Sequence, residues 1–291
     1  MRFKRTLRGR AFALPSTPML EQNDGSKAVS ALLRRLNVAP AGADMFVGAA
    51  SNSGGPRLFG GLVAGQAAVA AARTVDTLQM HSLHAYFLQP GDPARAVQYR
   101  VERLKEGKNF HARLVTARQD ERVIFSMQAS FQRAEPGMSH QDAMPEAPPP
   151  ESLDERNFGF WGAASPVTMR DCDGSFEHSA QNGLRRVWMR PAAALPEDPV
   201  LHMGMTVFAS DMTLVMTGVL PHPELRTRPR GGASLDHAMW FHRTVPFDDW
   251  MLYAMSTPAA HGGRPLVTGA MYRRDGTRVV SVAQEGLIRA R

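Results

Sequence analysis

Asp211 is the only formally charged side chain in the eighteen residues from Met203 to Leu220. Around it stand Met, Val, Leu, Phe, Thr and small residues, apolar on nearly every side. An ionised carboxylate in such surroundings is costly unless hydrogen-bonded partners hold it. It is either a satisfied polar group of the core or a base kept for chemistry, since both functional sites and structural networks bury carboxylates. Further along, Ser234 stands just before Asp236 and His237, and Gln284 lies in the string VAQEGL. A carboxylate, a hydroxyl and a primary amide brought together can hold one water molecule and deprotonate it. That is general-base hydrolysis, in which a positioned base supplies about 10²–10⁴-fold. Each residue also has a plainer role: Ser234 as a strand-end cap, Gln284 as a cross-strand partner, His237 or His242 as a satisfied core histidine.

Other chemistries lack their residues. There is no GxSxG elbow, no HExxH and no CxxC, and the single Cys172 has no base near it in sequence. One cysteine also excludes an intramolecular disulfide and fits a reducing compartment. His81 and His84 are three apart in a strand-like run and so face opposite sides, which argues against a shared metal. The 291 residues carry a formal charge of +7, with 43% hydrophobic and 21% charged residues. This describes a soluble globular protein, and nucleic acid, a membrane surface or a phosphate-bearing small molecule could each answer its basic charge. The basic residues are not interleaved with exposed aromatics, which weakens the nucleic-acid reading. No membrane span is expected, because the Met203 segment contains Asp, Thr, Ser and Gly and lacks basic flanks. MRFKRTLRGRAFAL at the start is basic but has no continuous apolar segment, so it is not read as a secretory signal. A disordered extension over 1–24 and a cytoplasmic location are expected, with an organelle presequence as the lesser reading.

The elements that must position the polar set follow from periodicity. SKAVSALLRRL predicts a short amphipathic helix, and Met45–Val47 an edge strand. Phe59 to Val75 predicts a helix of small apolar residues whose Gly60-Gly61 entrance leaves backbone N–H groups for a ligand oxygen. Four strand-like runs follow: Gln79–Gln89, Val97–Arg103, Phe110–Arg118 and Val123–Phe131. Short loops between them predict antiparallel neighbours. The proline-rich stretch 136–152 reads as a linker. Beyond it Leu184–Arg190 reads as a strand and the rest of Ser152 to Pro199 as loop, until the Met203 helix with Asp211 in its middle. Four more runs then come: Ala233–Arg243, Trp250–Ser256, Pro265–Tyr272 and Arg278–Ile288. The repeated plan, with HSLHAYF matched by LDHAMWF and FSMQASF by SVAQEGL, predicts an internal duplication, 25–135 and 153–291.

The strings FGGLVAGQAAVAA, HSLHAYFLQPGDP, VERLKEGKNF, VIFSMQASFQ, ASDMTLV, SLDHAMWFHR and SVAQEGLIR stand in the order found in acyl-CoA thioesterase II, a tandem hotdog family. The chain resembles that family over residues 25–135 and 184–290. The resemblance implies an α+β double hotdog: two antiparallel sheets, each wrapped around a long central helix. It implies a fatty acyl-CoA substrate, with CoA entering as part of that substrate and no separate cofactor or metal. The family's catalytic Asp of an SD pair falls on Asp211, its Thr or Ser before the DH pair on Ser234, and its Gln of QEG on Gln284. His81, Gly60, Gly61 and His237 would support the site or touch substrate. Arg226, Arg228 and Arg230 are candidate contacts for CoA phosphates, against the plainer reading of a solvated loop. The chain departs from the family at Leu62, where Gln often follows FGG, and at Glu106-Gly107-Lys108-Asn109-Phe110, where a DG-x-SF turn is usual. Both departures fall in the first unit and bear on substrate fit. A homo-dimer or tetramer is expected. A hotdog hydratase or dehydratase and a non-catalytic acyl-CoA-binding protein are the alternatives.

Overall fold

An amphipathic run, a small-residue run and four alternating runs become the first half of the fold. The computed structural model describes residues 21–51, 56–155, 165–174, 178–180, 183–226, 232–244 and 246–289. Glu21–Leu36 forms helix α1, Ala39–Pro40 and Met45–Gly48 form strands β1 and β2, and Gly60–Ala72 forms helix α2. Gln79–Phe87, Val97–Glu106, Phe110–Gln119 and Arg122–Gln132 are β3 to β6. In β4, Val97, Tyr99 and Val101 are buried while Gln98 and Arg100 face water, as a strand with one face on a core requires. α2 is buried from Gly61 to Ala72. Helix α1 starts at Glu21, inside what reads as the extension; residues 1–20 of that extension lie outside the described residues.

In the second half, Val167–Asp171 and Arg185–Pro191 are β7 and β8, and Pro199–Ser210 is helix α3. One-turn helices follow at Leu214–Thr217 (α4) and Pro223–Arg226 (α5), then strands Gly232–Ser234 (β9), Asp236–Phe241 (β10), Met251–His261 (β11), Arg264–Arg273 (β12) and Arg278–Ile288 (β13). Strand β7 stands in a stretch that reads as loop. The predicted helix through Leu220 is interrupted: α3 stops at Ser210, and Asp211 is its C-terminal cap rather than a mid-helix residue. Carbonyls on either side of the break accept from side chains of other strands. Tyr253 donates its hydroxyl to Ser210 O at 3.2 Å, and Arg185 donates to Thr213 O at 3.3 Å.

Among the described residues the strands form one thirteen-stranded antiparallel sheet in place of two separate ones. Its order is β1-β2-β4-β5-β6-β3-β10-β13-β12-β11-β8-β7, with β9 pairing β13 beside this path. Two of the expected sequential neighbours are not adjacent: β3 pairs β6 rather than β4, and β10 pairs β13 rather than β11. Each half would then end in an unpartnered strand, β3 or β10. These two pair with each other from Asp236↔Tyr86 to Trp240↔Ser82, which satisfies backbone groups that two separate sheets would leave open.

α2 and α3 lie antiparallel on the inner face of the sheet, within the main core. Glycines let them approach closely. A Cβ on Gly65 would fall 3.0 Å from Gly204 O, and one on Gly204 would fall 2.7 Å from Val69. At one end of the pair Arg73, capping α2, meets Asp198, capping α3, at 2.5 Å. Each charge suits the helix end it occupies. The segment Pro199–Thr217 is long and apolar enough to cross a membrane, but 67% of its apolar window is buried inside the fold.

The proline-rich stretch does more than connect. Met144, Ala147 and Leu153 pack on a second apolar cluster of Cys172, Trp188, Trp250, Leu252, Ala254, Ala270 and Tyr272. Trp188 Nε1 donates to Pro148 O at 2.8 Å, and Gln141 donates to Gly276 O at 2.8 Å. Along β8 and β11 alternate residues join the main core and this outer cluster, so the sheet of the second half is covered on both faces.

Candidate active site

The break after Ser210 places the Asp211 carboxyl where α3 ends beside the start of α2. Asp211 is 6% exposed, so its neighbours decide its chemistry. Ser234 Oγ donates to Asp211 Oδ1 at 2.9 Å. Gln284 Nε2 donates to Ser234 Oγ at 3.1 Å, and the same amide hydrogen-bonds Asp211. The Gly61 N–H of α2 donates to Asp211 as well. Thus the three residues singled out by their chemistry meet, from a helix end and two strands.

A bulge brings them together. Ser234 pairs with Gly286 across β9 and β13, whereas Ala238 pairs with Ala283 across β10 and β13, a one-residue slip at Leu235-Asp236. Ser234 and His237 are three apart and would face opposite sides of a regular strand. The slip turns both toward Gln284. Leu235 O accepts from Phe87 N at 2.9 Å, and Asp236 Oδ1 accepts from Glu285 N at 2.5 Å, which hold the bulge in place.

His237 is fully buried, with Nδ1 at 2.5 Å from Gln284 Oε1 and Nε2 at 2.9 Å from Ser210 Oγ. Burial pushes the Asp211 carboxyl above the ordinary carboxylate range. His237, the Ser234 and Gln284 hydrogen bonds and the Gly61 N–H all act against that rise. Tyr253 is buried beside the same carboxylate, and burial holds its phenol well above the usual range. The result is a carboxylate that is held by donors and is a stronger base than one in water.

The first half borders this group directly. A Cβ on Gly60 would lie 2.9 Å from Asp211 Oδ2 and 3.0 Å from the Phe87 ring, and a Cβ on Gly61 would lie 2.6 Å from Phe208 O. Gly60 therefore brings backbone against Oδ2 where any side chain would collide. The Gly61 N–H, read from sequence as a donor for a ligand oxygen, is engaged by a side chain of the other half. Gly61 is among the residues expected to support the site; Ser210 and Tyr253 are the members that carry no signal in the sequence.

Other expected residues stand apart. His81 is not drawn into the group: its Nε2 meets Ser130 Oγ at 2.8 Å and its ring meets Phe110, and burial lowers its pKa. Arg228 and Arg230 lie outside the described residues, and Arg226 is described only as the last residue of α5. Two surface clefts lie away from Asp211. One of about 370 Å³ is flanked by Arg95 and Asp120, the other of about 120 Å³ by Arg274 and Asp249. Asp120 and Asp249 are each paired with the arginine beside them.

The chain matches the family described as acyl-CoA thioesterase over residues 163–287, and the acyl-CoA thioesterase N-terminal domain over residues 49–132. It is 37% identical over 281 residues to acyl-coenzyme A thioesterase 8 of Homo sapiens, covering 88% of each chain. Among solved structures it is similar to an acyl-CoA thioesterase II from Mycobacterium marinum, with 39% identity, a TM-score of 0.77, and coverage of 90% of this chain and 98% of that one. A hot dog fold protein from Alicyclobacillus acidocaldarius, 19% identical, overlays with a TM-score of 0.78 across 90% of this chain and 98% of that one, a likeness of fold alone.

Proposed function

Since the chain belongs to the acyl-CoA thioesterase II family and hydrolyses acyl-CoA thioesters, we propose that Asp211 is the base that activates the attacking water. The substrate on this reading is a fatty acyl-CoA, and the products are a free fatty acid and CoA. The observation that carries it is the convergence of Ser234 and Gln284 on one buried carboxylate, against which the Gly60 backbone packs without a side chain between. Water attacks the thioester carbonyl carbon as Asp211 takes its proton. The tetrahedral intermediate then collapses, the C–S bond breaks, and the same proton goes to the departing CoA thiolate. Ser234 and Gln284 hold the carboxylate and the water in register, and the positive end of α2 offsets the ionised form of Asp211. CoA enters as part of the substrate, so the step calls for no separate cofactor.

The chain is best read as a double hotdog, 25–135 and 153–291, fused through β3 and β10 and joined by the stretch 136–152. Supporting this are the repeated order of strands around each buried helix and the antiparallel pairing of the two halves. A hydratase would need a histidine facing the α and β carbons of its substrate. His237 is fully buried, with both ring nitrogens engaged, and does not suit that task.

The test is Asp211→Asn, a change of one atom type at constant shape. Thiol release from palmitoyl-CoA by the folded variant is expected to fall about 10²–10⁴-fold, the contribution of a positioned base. Near wild-type turnover would overturn the assignment. Incubation with an enoyl-CoA separates the alternatives, because adding water across the double bond releases no thiol, and tight binding without either product would mark a non-catalytic binder.

A further inference from the structure

A primary amide is nearly symmetric in shape, so packing alone does not distinguish its oxygen end from its nitrogen end. For Gln284 the difference decides the chemistry. Only the NH₂ end can donate to Ser234 Oγ and to Asp211; an amide turned over would aim its carbonyl at a carboxylate. Something must hold it the right way round, and the geometry points to His237: we infer that this histidine is the positioning residue that fixes the orientation of the Gln284 amide.

Oε1 of Gln284 can only accept, and it lies 2.5 Å from His237 Nδ1, so Nδ1 carries a proton. On the other side of the ring, Nε2 is 2.9 Å from Ser210 Oγ. When Ser210 donates to Nε2, the ring is neutral and donation runs one way, from Ser210 through His237, Gln284 and Ser234 to Asp211. Ser210 Oγ also lies 2.8 Å from Val207 O, a second place for its proton. Nδ1 bears its proton in both cases. The ring itself has no freedom to turn away, being fully buried on a strand paired on both sides, opposite Ala85 on β3. The ionisable groups that act on Asp211 among the described residues are His237 on β10 and Tyr253 on β11; Arg185 on β8, beyond the helix break, bonds Thr213 O and has Asp171 as its charge partner.

Two polar replacements separate orientation from filling. In His237→Asn the side-chain nitrogen takes the place of Nδ1 and still donates to Gln284. In His237→Gln the amide sits at the place of Nε2, fills more of the volume, and leaves Oε1 without its donor. Orientation control predicts that Asn keeps kcat within about fivefold of wild type while Gln loses about thirtyfold, with KM little changed in both, as a loss confined to the chemical step requires. A purely space-filling role predicts the reverse order. In a Gln284→Ala background the two His237 variants should be equal, because the amide they orient is gone.

The acid limb of kcat/KM supplies a second readout. Losing the Gln284 donor raises the Asp211 pKa, so the limb should move to higher pH in His237→Gln more than in His237→Asn. Equal shifts would assign the effect to the imidazole charge and overturn the inference, as would Gln outperforming Asn, or the His237 variants still differing in the Gln284→Ala background. The inference rests on Asp211 as the base, which Asp211→Asn tests separately: full turnover there sinks the base, while the ranking at position 237 is judged on its own.

Discussion

The two halves place different chemistry at matching interior positions. Counting back along the inner face from Phe87 on β3 gives Ala85 and Leu83, and from Phe241 on β10 gives Met239 and His237. Leu83 pairs across to Ala129 on β6, while His237 lies opposite Gln284 on β13, one step from Ala238↔Ala283. One half therefore has an apolar pair where the other has a polar pair aimed at Asp211. The first half does contain a histidine and a glutamine opposite each other, His84 and Gln128, but both face outward. What separates a site from a scaffold here is a shift of one residue in phase, more than the presence of polar side chains. The helices differ in the same way. The buried polar group of α2 is Gln66, whose amide donates to Arg35 O at 2.8 Å and accepts from Tyr99 at 2.6 Å. Those contacts hold α1 and β4, whereas the contacts of Asp211 come from Ser234, Gln284 and the Gly61 N–H, at the place where the halves meet.

The sharpest test of that contrast is to neutralise each helix's polar group. Asp211→Asn should abolish most activity yet leave the protein at least as stable. The sign follows from the raised carboxyl pKa: above its folded-state value the ionised form opposes folding, and an amide removes that opposition. Thermal unfolding at neutral pH should show a Tm equal to or above wild type, and a clear drop would break the comparison. By the same sign, wild-type kcat/KM should fall on the acid side with a limb above 3.8, the ordinary value for this carboxyl, read from a pH–rate profile.

Next in size is Gly60→Ala, which tests whether the first half is only a scaffold. The added methyl meets Asp211 Oδ2 and Phe87, so turnover should drop about 10–100-fold, on the scale known for small misplacements of reacting groups. A variant with normal kcat would confine the chemistry to the second half. Gln66→Leu should do the opposite. It strands the Tyr99 hydroxyl and the Arg35 carbonyl, costing about 1–3 kcal/mol in denaturant unfolding, with kcat unchanged. Smallest is Arg73→Ala at the far end of the helix pair. The Arg73–Asp198 bridge is partly exposed, so its loss should cost about 0.2–1 kcal/mol, shrinking further in high salt.

Much of this was legible in the residues. The strands β4 and β6 alternate cleanly, α2 is a run of small apolar residues, and Asp211, Ser234 and Gln284 are individually odd enough to notice. The hidden parts depend on partners remote in sequence. The α3 break is supported by Tyr253 and Arg185, neither of which marks a helix end. The bulge at Leu235 needs the register of β13, and the β3–β10 seam is made of backbone hydrogen bonds that any sequence could donate. Strand β7 buries Thr168 and Asp171 beside Val167 and Met169, so it shows no alternation. Most telling is Gly61: its free N–H is legible from the glycine pair, but a backbone donor does not announce its partner, so its contact with Asp211 of the other half could not be read from residue types.

The seam also bears on how the chain behaves in a crowded solution. Two separate sheets would present four open edges, each a template for a stray strand. Joined through β3 and β10, the described sheet has its ends at β1 and β7. β1 is two residues long and one of them is Pro40, which has no N–H to offer; β7 is five residues long. Fusing the halves thus removes the two longer edges from circulation and leaves little backbone on which aggregation could begin.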